Sequence, residues 1–411
     1  MKKLSLLIMV FFLCNLSINV NSVSAKTPVD ESKEEHVQLD KTFNPKGMVV
    51  TTEDGQILYD YNKDKKVEPA STTKLMTMLV VYDDIKDKKV DLNDKVNITS
   101  RYQKMSELPN LTTFPLKKGQ TYTVEQLLKQ AALNSSNAAT LVLAEHIDED
   151  VSQFTDRMNA KAKALGMNHT HFANPSGADN HLIQPYEPKG YKNESTSHTT
   201  AHDMALLTNH LLREHPEVLN ITKLKDDTQY HQKLHNTNLS LPHQSQQMKG
   251  VDGLKTGTSK EGYNLVLTTK RDHLRVNANI FNVQPYPSDQ SEHARHKIAN
   301  AITQEAFHKY AYRKVLSKGE HTIDGKKYDV KKDLYDVVPK DKSKYHLKVS
   351  KDQHVYVKYD RQFIGKEHIP SVKVEESSHF FRGSFRVILG ILGCILVGFI
   401  ALIAVKVYKK L

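Results

Sequence analysis

The sequence predicts an α+β fold: an antiparallel sheet with helices on both faces and a helical subdomain, then a small all-β module and a C-terminal helix. Three observations predict it. Strand-like runs at 47–61 and again at 263–281 bracket a long stretch of helical periodicity. From about Lys314 the helical pattern gives way to short alternating runs around turns. Finally, Val387 to Val405 is a run without a single charge.

The elements follow in order. Lys26 to Thr42 is polar with mixed charge and reads as a loose leader. Gly47–Thr52 and Ile57–Tyr61 flank Glu53-Asp54-Gly55-Gln56, a hairpin signal. After Pro69-Ala70, residues Leu75, Met76, Met78, Leu79, Val80 and Tyr82 form a dense apolar stretch, a buried helix with Ser71 in its first turn. Thr123-Val124-Glu125-Gln126 is a capping box that opens a helix carrying Val124, Leu127, Leu128 and Ala131 on one face. Asn134-Ser135-Ser136 interrupts it, and helical periodicity resumes from Asn137 to His146. Phe154, Met158, Ala162 and Leu165 mark a further amphipathic helix that stops near Gly166, and Asn174-Pro175-Ser176-Gly177 is a turn cluster. Two strands, Tyr263–Thr269 and Leu274–Phe281, precede a last helix at 294–310 with Ala294, Ile298, Ala301, Ile302 and Ala306 facing inward. In the β-rich module, 321–323 and 327–330 flank Asp324-Gly325, and 345–350 and 355–359 flank Lys351-Asp352.

The two ends point to export. Lys2 and Lys3, the apolar stretch Leu4 to Leu13 and the small residues Val23-Ser24-Ala25 read as a signal peptide over 1–25. The run 387–405 has the length of a transmembrane helix, with Lys406, Lys409 and Lys410 on its cytoplasmic side. The expected location is the cell membrane, single-pass, with residues 26–313 as an extracellular main domain and 314–380 as the module between it and the membrane. The net charge of +11 is largely an end effect: without the seven basic residues in the two terminal segments, 51 basic residues face 47 acidic ones. With no aromatic–basic run, a nucleic-acid partner is excluded. Both cysteines, Cys14 and Cys394, lie in the hydrophobic segments, so the folded part rests on its core and not on disulfides.

Three short motifs carry the chemistry: Ser71-Thr72-Thr73-Lys74, Ser135-Ser136-Asn137 and Lys255-Thr256-Gly257. A serine hydroxyl needs a base before it attacks. Three residues is nearly one helical turn, so Lys74 reaches Ser71, and in a dry pocket beside other cations its basicity falls enough to serve. Ser135 offers a hydroxyl that relays a proton to a leaving amine, and Asn137 an amide for a substrate backbone. On a strand edge, Lys255 offers a point charge, Thr256 a hydroxyl, and Gly257 room for a substrate backbone to approach. The backbone N–H groups of Ser71 and Thr258 are candidate oxyanion donors. Each motif alone is a common string. Their order, their separations of 64 and 120 residues, and their expected settings (helix start, interhelical loop, sheet strand) agree with one acyl-transfer site.

With these motifs, and with His171-Phe172-Ala173-Asn174-Pro175-Ser176-Gly177 and Asp252-Gly253-Leu254, the chain resembles the low-molecular-weight penicillin-binding proteins of the D-alanyl-D-alanine carboxypeptidase family. The resemblance runs through nearly the whole chain. It implies a serine β-lactamase/transpeptidase-like domain, peptidoglycan stem peptides ending in D-Ala-D-Ala as substrate, and covalent inhibition by β-lactam antibiotics. It also implies that Ser71 carries the acyl group, Lys74 and Ser135 move protons, Lys255 and Thr256 hold the terminal carboxylate, and Asn137 contacts the acyl side chain.

Two rivals are weighed. A class A β-lactamase needs a glutamate that activates the deacylating water. The nearest string, Glu217 before Leu219-Asn220, is one residue short and some 80 positions past the second motif. A penicillin-binding sensor would need an output domain, and only six residues follow Val405. Whether water or an amine takes the acyl group stays open. No cofactor or metal is expected: H-E-x-x-H is absent, and the pairs His169/His171, His210/His215 and His293/His296 read as solvated surface histidines.

Overall fold

The computed structural model describes residues 26–377 and 379–409, excepting the side chains of 379–388, 404, 407 and 408. The expected signal peptide, 1–25, lies outside the described residues.

The first hairpin forms as its sequence suggests, β1 (Gly47–Thr52) with β2 (Gln56–Tyr61). Three later strands, β3 (Val251–Ser259), β4 (Gly262–Arg271) and β5 (Leu274–Val283), complete the main sheet through antiparallel pairing of β5 with β1. All ten residues of β5 are buried, which requires cover on both faces. The period-two alternation assigns the faces. Met48, Val50, Leu265, Leu267, Val276, Ala278 and Ile280 face one core, and Val49, Val266 and Phe281 the other.

The long helix α6 covers the first face with Ala294, Ile298, Ala299 and Ile302. It spans Asp289–Lys309 and starts earlier than its apolar stripe, because Ser288 caps it by accepting from Ser291 N at 3.3 Å. The second face carries α1 (Lys74–Lys86), α2 (Val124–Ala132), α3 (Asn137–Asp148), α4 (Val151–Ala164) and α5 (Ala201–Glu214) in one continuous core. The Thr123 capping box is present, with Gln126 N donating to Thr123 Oγ1 and Thr123 N to Gln126 Oε1. Helix α5 is not among the elements expected from the sequence; Thr200 caps it, and Met204, Ala205, Leu207 and Leu211 form its buried face.

The leader is a correction. Residues 28–35 form helical turns, Val29 is fully buried in the core beneath α6, and Glu31 binds Lys309 at 2.9 Å. Buried Pro28 and Val29, Leu39 packed against the same core, and complementary charges on α6 hold a segment whose composition looks disordered.

Beyond α6, β6 (Tyr310–Leu316) continues out of the helix and pairs with β9 (Leu334–Pro339). The remaining strands are β7 (Gly319–Ile323), β8 (Lys326–Val330), β10 (His346–Val349), β11 (His354–Lys358) and β13 (Ser371–Glu376). They form a five-stranded sheet ordered β7-β8-β13-β11-β10 around a core of Val330, Val355, Val357 and Val374. A short strand between them, β12 (Gln362–Phe363), leaves this sheet and adds to β2, so the main sheet is ordered β12-β2-β1-β5-β4-β3. Its neighbour Arg361 forms a 3.0 Å ion pair with Asp336 of β9, each side chain only 3% exposed, and also donates to Gln56 Oε1 on β2 at 3.4 Å.

Chain 379–408 forms a single helix, α7 (His379–Tyr408). Among the described residues no helix is long and apolar enough to cross a membrane. The side chains of residues 387, 388 and 404, part of the expected span 387–405, lie outside the description.

Candidate active site

Ser71 sits in a 3-10 turn, Ala70–Thr73, that runs directly into α1, so it precedes the helix rather than occupying its first α-turn. Three elements hold this turn. Asn264 on β4 donates from Nδ2 to Glu68 O (2.9 Å) and Pro69 O (3.1 Å). On β3, Gly257 lies so close that a Cβ there would stand 2.8 Å from Pro69 O and 3.2 Å from Thr72 N. The Asn174–Gly177 turn closes the third side: a Cβ on Gly177, at φ +73°, would stand 2.0 Å from Ala70 O. Gly257 was expected to make room for substrate. In the structure the missing Cβ lets β3 lie directly against the Ala70–Thr73 turn.

Lys74 is completely buried, and its Nζ lies 2.9 Å from Ser71 Oγ, 2.8 Å from Asn137 Oδ1 and 2.7 Å from Ser176 O. Burial lowers its pKa well below the ordinary lysine value, and the nearby Lys255 charge lowers it further. The Ser176 carbonyl reaches Lys74 because Asn174 Oδ1 accepts from Ser176 N, Ser176 Oγ and Gly177 N at 2.7–2.9 Å. Thr77, one turn along α1, donates to Pro175 O at 2.7 Å. The cluster 174–177 was legible in the sequence only as a turn; its role in holding Lys74 was not.

The second motif lies where expected, on the loop between α2 and α3. Ser136 caps α3 by accepting from Ala139 N (3.2 Å) and also takes Phe114 N (3.1 Å). This fixes Asn137 as the first helical residue, with its Nδ2 donating to Thr112 O at 3.0 Å. Ser135 is 7% exposed and held at φ +62°, a conformation that costs a non-glycine residue energy and is tolerated where geometry matters. Among the described residues its hydroxyl makes no hydrogen bond.

The third motif lies on β3, the edge strand of the sheet, so backbone groups of one side remain open to an incoming peptide. Lys255 is 1% exposed and donates to Thr256 O at 3.1 Å. Burial, with Arg295 nearby, brings its pKa down to about 7. Thr256 Oγ1 lies 2.5 Å from Thr237 Oγ1, and Thr258 Oγ1 lies 3.3 Å from Arg295 Nη1. Arg295, on α6 under the strand, also donates to Gly257 O (3.0 Å) and Asn264 O (3.2 Å). Neither Thr237 nor Arg295 was singled out from the sequence. Arg295 could have been, as a charge within the inward stripe of α6; Thr237 carries no local signal.

Other candidates fall elsewhere. Glu217 bonds His215, which in turn binds Asp83, nine residues along α1 from Lys74 and therefore about 13 Å up the helix. His215 and His296 are 1% and 0% exposed, against the expectation of surface histidines. His296 bonds Ser240 at 3.0 Å, and burial with Arg295 alongside depresses its pKa strongly. Among the described residues, Glu35, Glu305 and His308 bring three ligand atoms within 4.8 Å, but Glu305 also engages Lys309, and His308 engages Glu35 and Gln304.

A sheet with its edge strand beside a lysine-paired serine, and an all-helical cover on that face, defines the penicillin-binding, transpeptidase-like class of α+β fold. A solved structure of that class, a peptidoglycan synthesis regulatory factor (PBP3) from Streptococcus pneumoniae, shares the fold at TM-score 0.69 and 23% identity, over 81% of this chain and 99% of that one. Residues 34–285 match the Peptidase S11 family, D-alanyl-D-alanine carboxypeptidase, and the chain belongs to that family. Residues 312–375 match a domain of unknown function, DUF1958. D-alanyl-D-alanine carboxypeptidase DacF from Bacillus subtilis is 29% identical over 270 residues, covering 64% of this chain and 62% of that protein. The chain thus spans less than two thirds of this relative's length. Penicillin-Binding Protein D2 from Listeria monocytogenes, solved in the ampicillin-bound form, is 27% identical at TM-score 0.53, over 64% of this chain and 97% of that one.

Proposed function

We propose that the protein is a serine acyltransferase that acts on peptidoglycan stem peptides ending in D-Ala-D-Ala. The observation that carries this reading is the setting of the Lys74 amine. Two of its three partners, Asn137 Oδ1 and Ser176 O, are oxygens that only accept. A neutral amine has two N–H groups and one lone pair. With both N–H groups used on those oxygens, the lone pair faces the Ser71 hydroxyl 2.9 Å away. Burial and the nearby Lys255 charge both lower the Lys74 pKa and so favour that neutral form.

Ser71 Oγ attacks the carbonyl carbon of the penultimate D-alanine while its proton passes to Lys74 Nζ. The N–H groups of Ser71 and Thr258 take the developing oxyanion. Collapse breaks the C–N bond, and the departing D-alanine amine receives the proton from Lys74 through the Ser135 hydroxyl. The ester on Ser71 is then attacked by water, giving DD-carboxypeptidase activity, or by an amine, giving DD-transpeptidase activity and a cross-link. Lys74 takes the attacking proton and returns one to Ser71 Oγ. Protonated Lys255 and the Thr256 hydroxyl hold the substrate's terminal carboxylate, and Asn137 Nδ2 contacts the acyl side chain. A β-lactam enters the same first step, but its leaving nitrogen stays tethered, so the ester persists. The ampicillin-bound relative supports this inhibition.

We also propose that the enzyme is anchored at the cell membrane by one pass of α7, with its catalytic domain outside. The uncharged run 387–405 supports this, as do its described apolar side chains between Leu389 and Val405, which stand 54–67% exposed. Intact-protein mass spectrometry after penicillin treatment tests the central claim. One adduct is expected on the wild type and none on a folded Ser71→Ala variant; an undiminished adduct on the variant refutes it.

A further inference from the structure

Thr237 occupies a corner that ties the second and third motifs together. Its N–H donates to Leu133 O at 3.2 Å, two residues before Ser135. Its hydroxyl lies 2.5 Å from that of Thr256, next to Lys255. The corner is rigid. Asn236, 5% exposed, donates from Nδ2 to Thr222 O (3.0 Å) and Leu224 O (2.8 Å), and its Oδ1 accepts from Asn238 N (2.9 Å). A side chain held this firmly against the carboxylate-binding hydroxyl does more than fill space.

We propose that Thr237 is a positioning residue of the carboxylate subsite. Its hydroxyl donates to Thr256 Oγ1 and so keeps the Thr256 proton directed at the donor peptide's carboxylate. This rests on the acyltransferase reading above. A hydroxyl has one proton and two lone pairs. When Thr256 accepts from Thr237, its own proton is left for the substrate, and accepting one bond strengthens the one it donates. Without Thr237 the Thr256 rotor turns freely, and the substrate must orient it on binding. Thr237 does not touch the reacting atoms, so its effect belongs in donor affinity rather than in the chemical step.

The test uses the full chain and two donor peptides, one ending in D-Ala-D-Ala with a free carboxylate and one with that terminus amidated. Thr237→Val keeps the shape and removes the hydroxyl; Thr237→Ser restores it. For the free-carboxylate donor, Val is expected to raise KM about three- to tenfold, the worth of one neutral hydrogen bond, with kcat nearly unchanged. The amidated donor should show no KM change, Ser should recover the wild-type KM, and all three proteins should melt alike. Equal losses on both donors, or an unchanged KM with Val, overturn the inference alone. If wild type forms no penicillin adduct, the underlying reading falls, and the inference with it.

Discussion

Lys255 gives the sharpest prediction. Its ammonium is 1% exposed, donates one bond at 3.1 Å to a neighbouring carbonyl, and has a pKa near 7 because burial and the Arg295 charge both disfavour protonation. A carboxylate is held by the protonated form, so recognition is present below about pH 7 and lost above it. The pH dependence of kcat/KM reports groups of the free enzyme. For a donor with a free carboxylate, kcat/KM should therefore fall about tenfold per pH unit above 7, to roughly one hundredth of its plateau by pH 9. The amidated donor should lack this limb, and Lys255→Ala should abolish it for the free-carboxylate donor. Lys74 serves Ser71 whichever donor is bound, so its titration would mark both donors alike and not the free-carboxylate donor alone. Hydrolysis rates of the two donors across pH 6–9 decide the matter. Identical basic limbs on both donors, or a limb surviving in Lys255→Ala, would refute carboxylate recognition by Lys255. The same shift has a consequence for stability. Between pH 7 and the ordinary lysine pKa of 10.5 the unfolded chain holds a proton that the folded one has released, so this group makes stability rise with pH in that window.

Three further predictions follow from the packing around the site and the module. Gly257→Ala forces β3 away from the nucleophile turn, because its Cβ meets Pro69 O at 2.8 Å. Penicillin acylation should slow about a hundredfold and stability fall by about 1–3 kcal/mol, read by stopped-flow acylation and urea melts. Asn174→Ala removes the acceptor of three bonds that present Ser176 O to Lys74. Its acylation rate should drop at least tenfold, and a wild-type rate would show that Lys74 needs no such support. Arg361→Met leaves Asp336 buried without its partner and should cost about 3–5 kcal/mol in thermal unfolding of the full chain. Because the pair lies far from β3, acylation below the melting temperature should not change.

What could be read early and what could not divides along a physical line. The Ser71/Lys74 pair was visible because both residues are chemically specific and three positions apart, a spacing that fixes their relation within one turn. The interhelical loop at Ser135 was visible because a capping box and a resumed period bracket it. The leader at 26–42 misled because composition reports average polarity, while one buried Val29 and ion pairs to α6 decide its order. The histidines misled in the same way: Arg295 adjoins His296 in the chain, but nothing local announces Ser240, 56 residues away, or the burial of the pair.

By itself, then, the sequence determined the three motifs that the proposed chemistry uses, their order and the plan of a sheet built from both ends of a domain, since residue chemistry and short-range periodicity are local properties. Tertiary structure alone decided what surrounds those motifs. The carbonyl that holds Lys74 comes from 102 residues away. Gly257 lies so close to the Ala70–Thr73 turn that a Cβ would collide with Pro69 O. Thr237 and Arg295 stand behind the third motif, and β12 reaches back from the module to the first hairpin. Backbone carbonyls, close approaches and long-range strand register leave no pattern in a linear string, because they exist only once distant segments share one core.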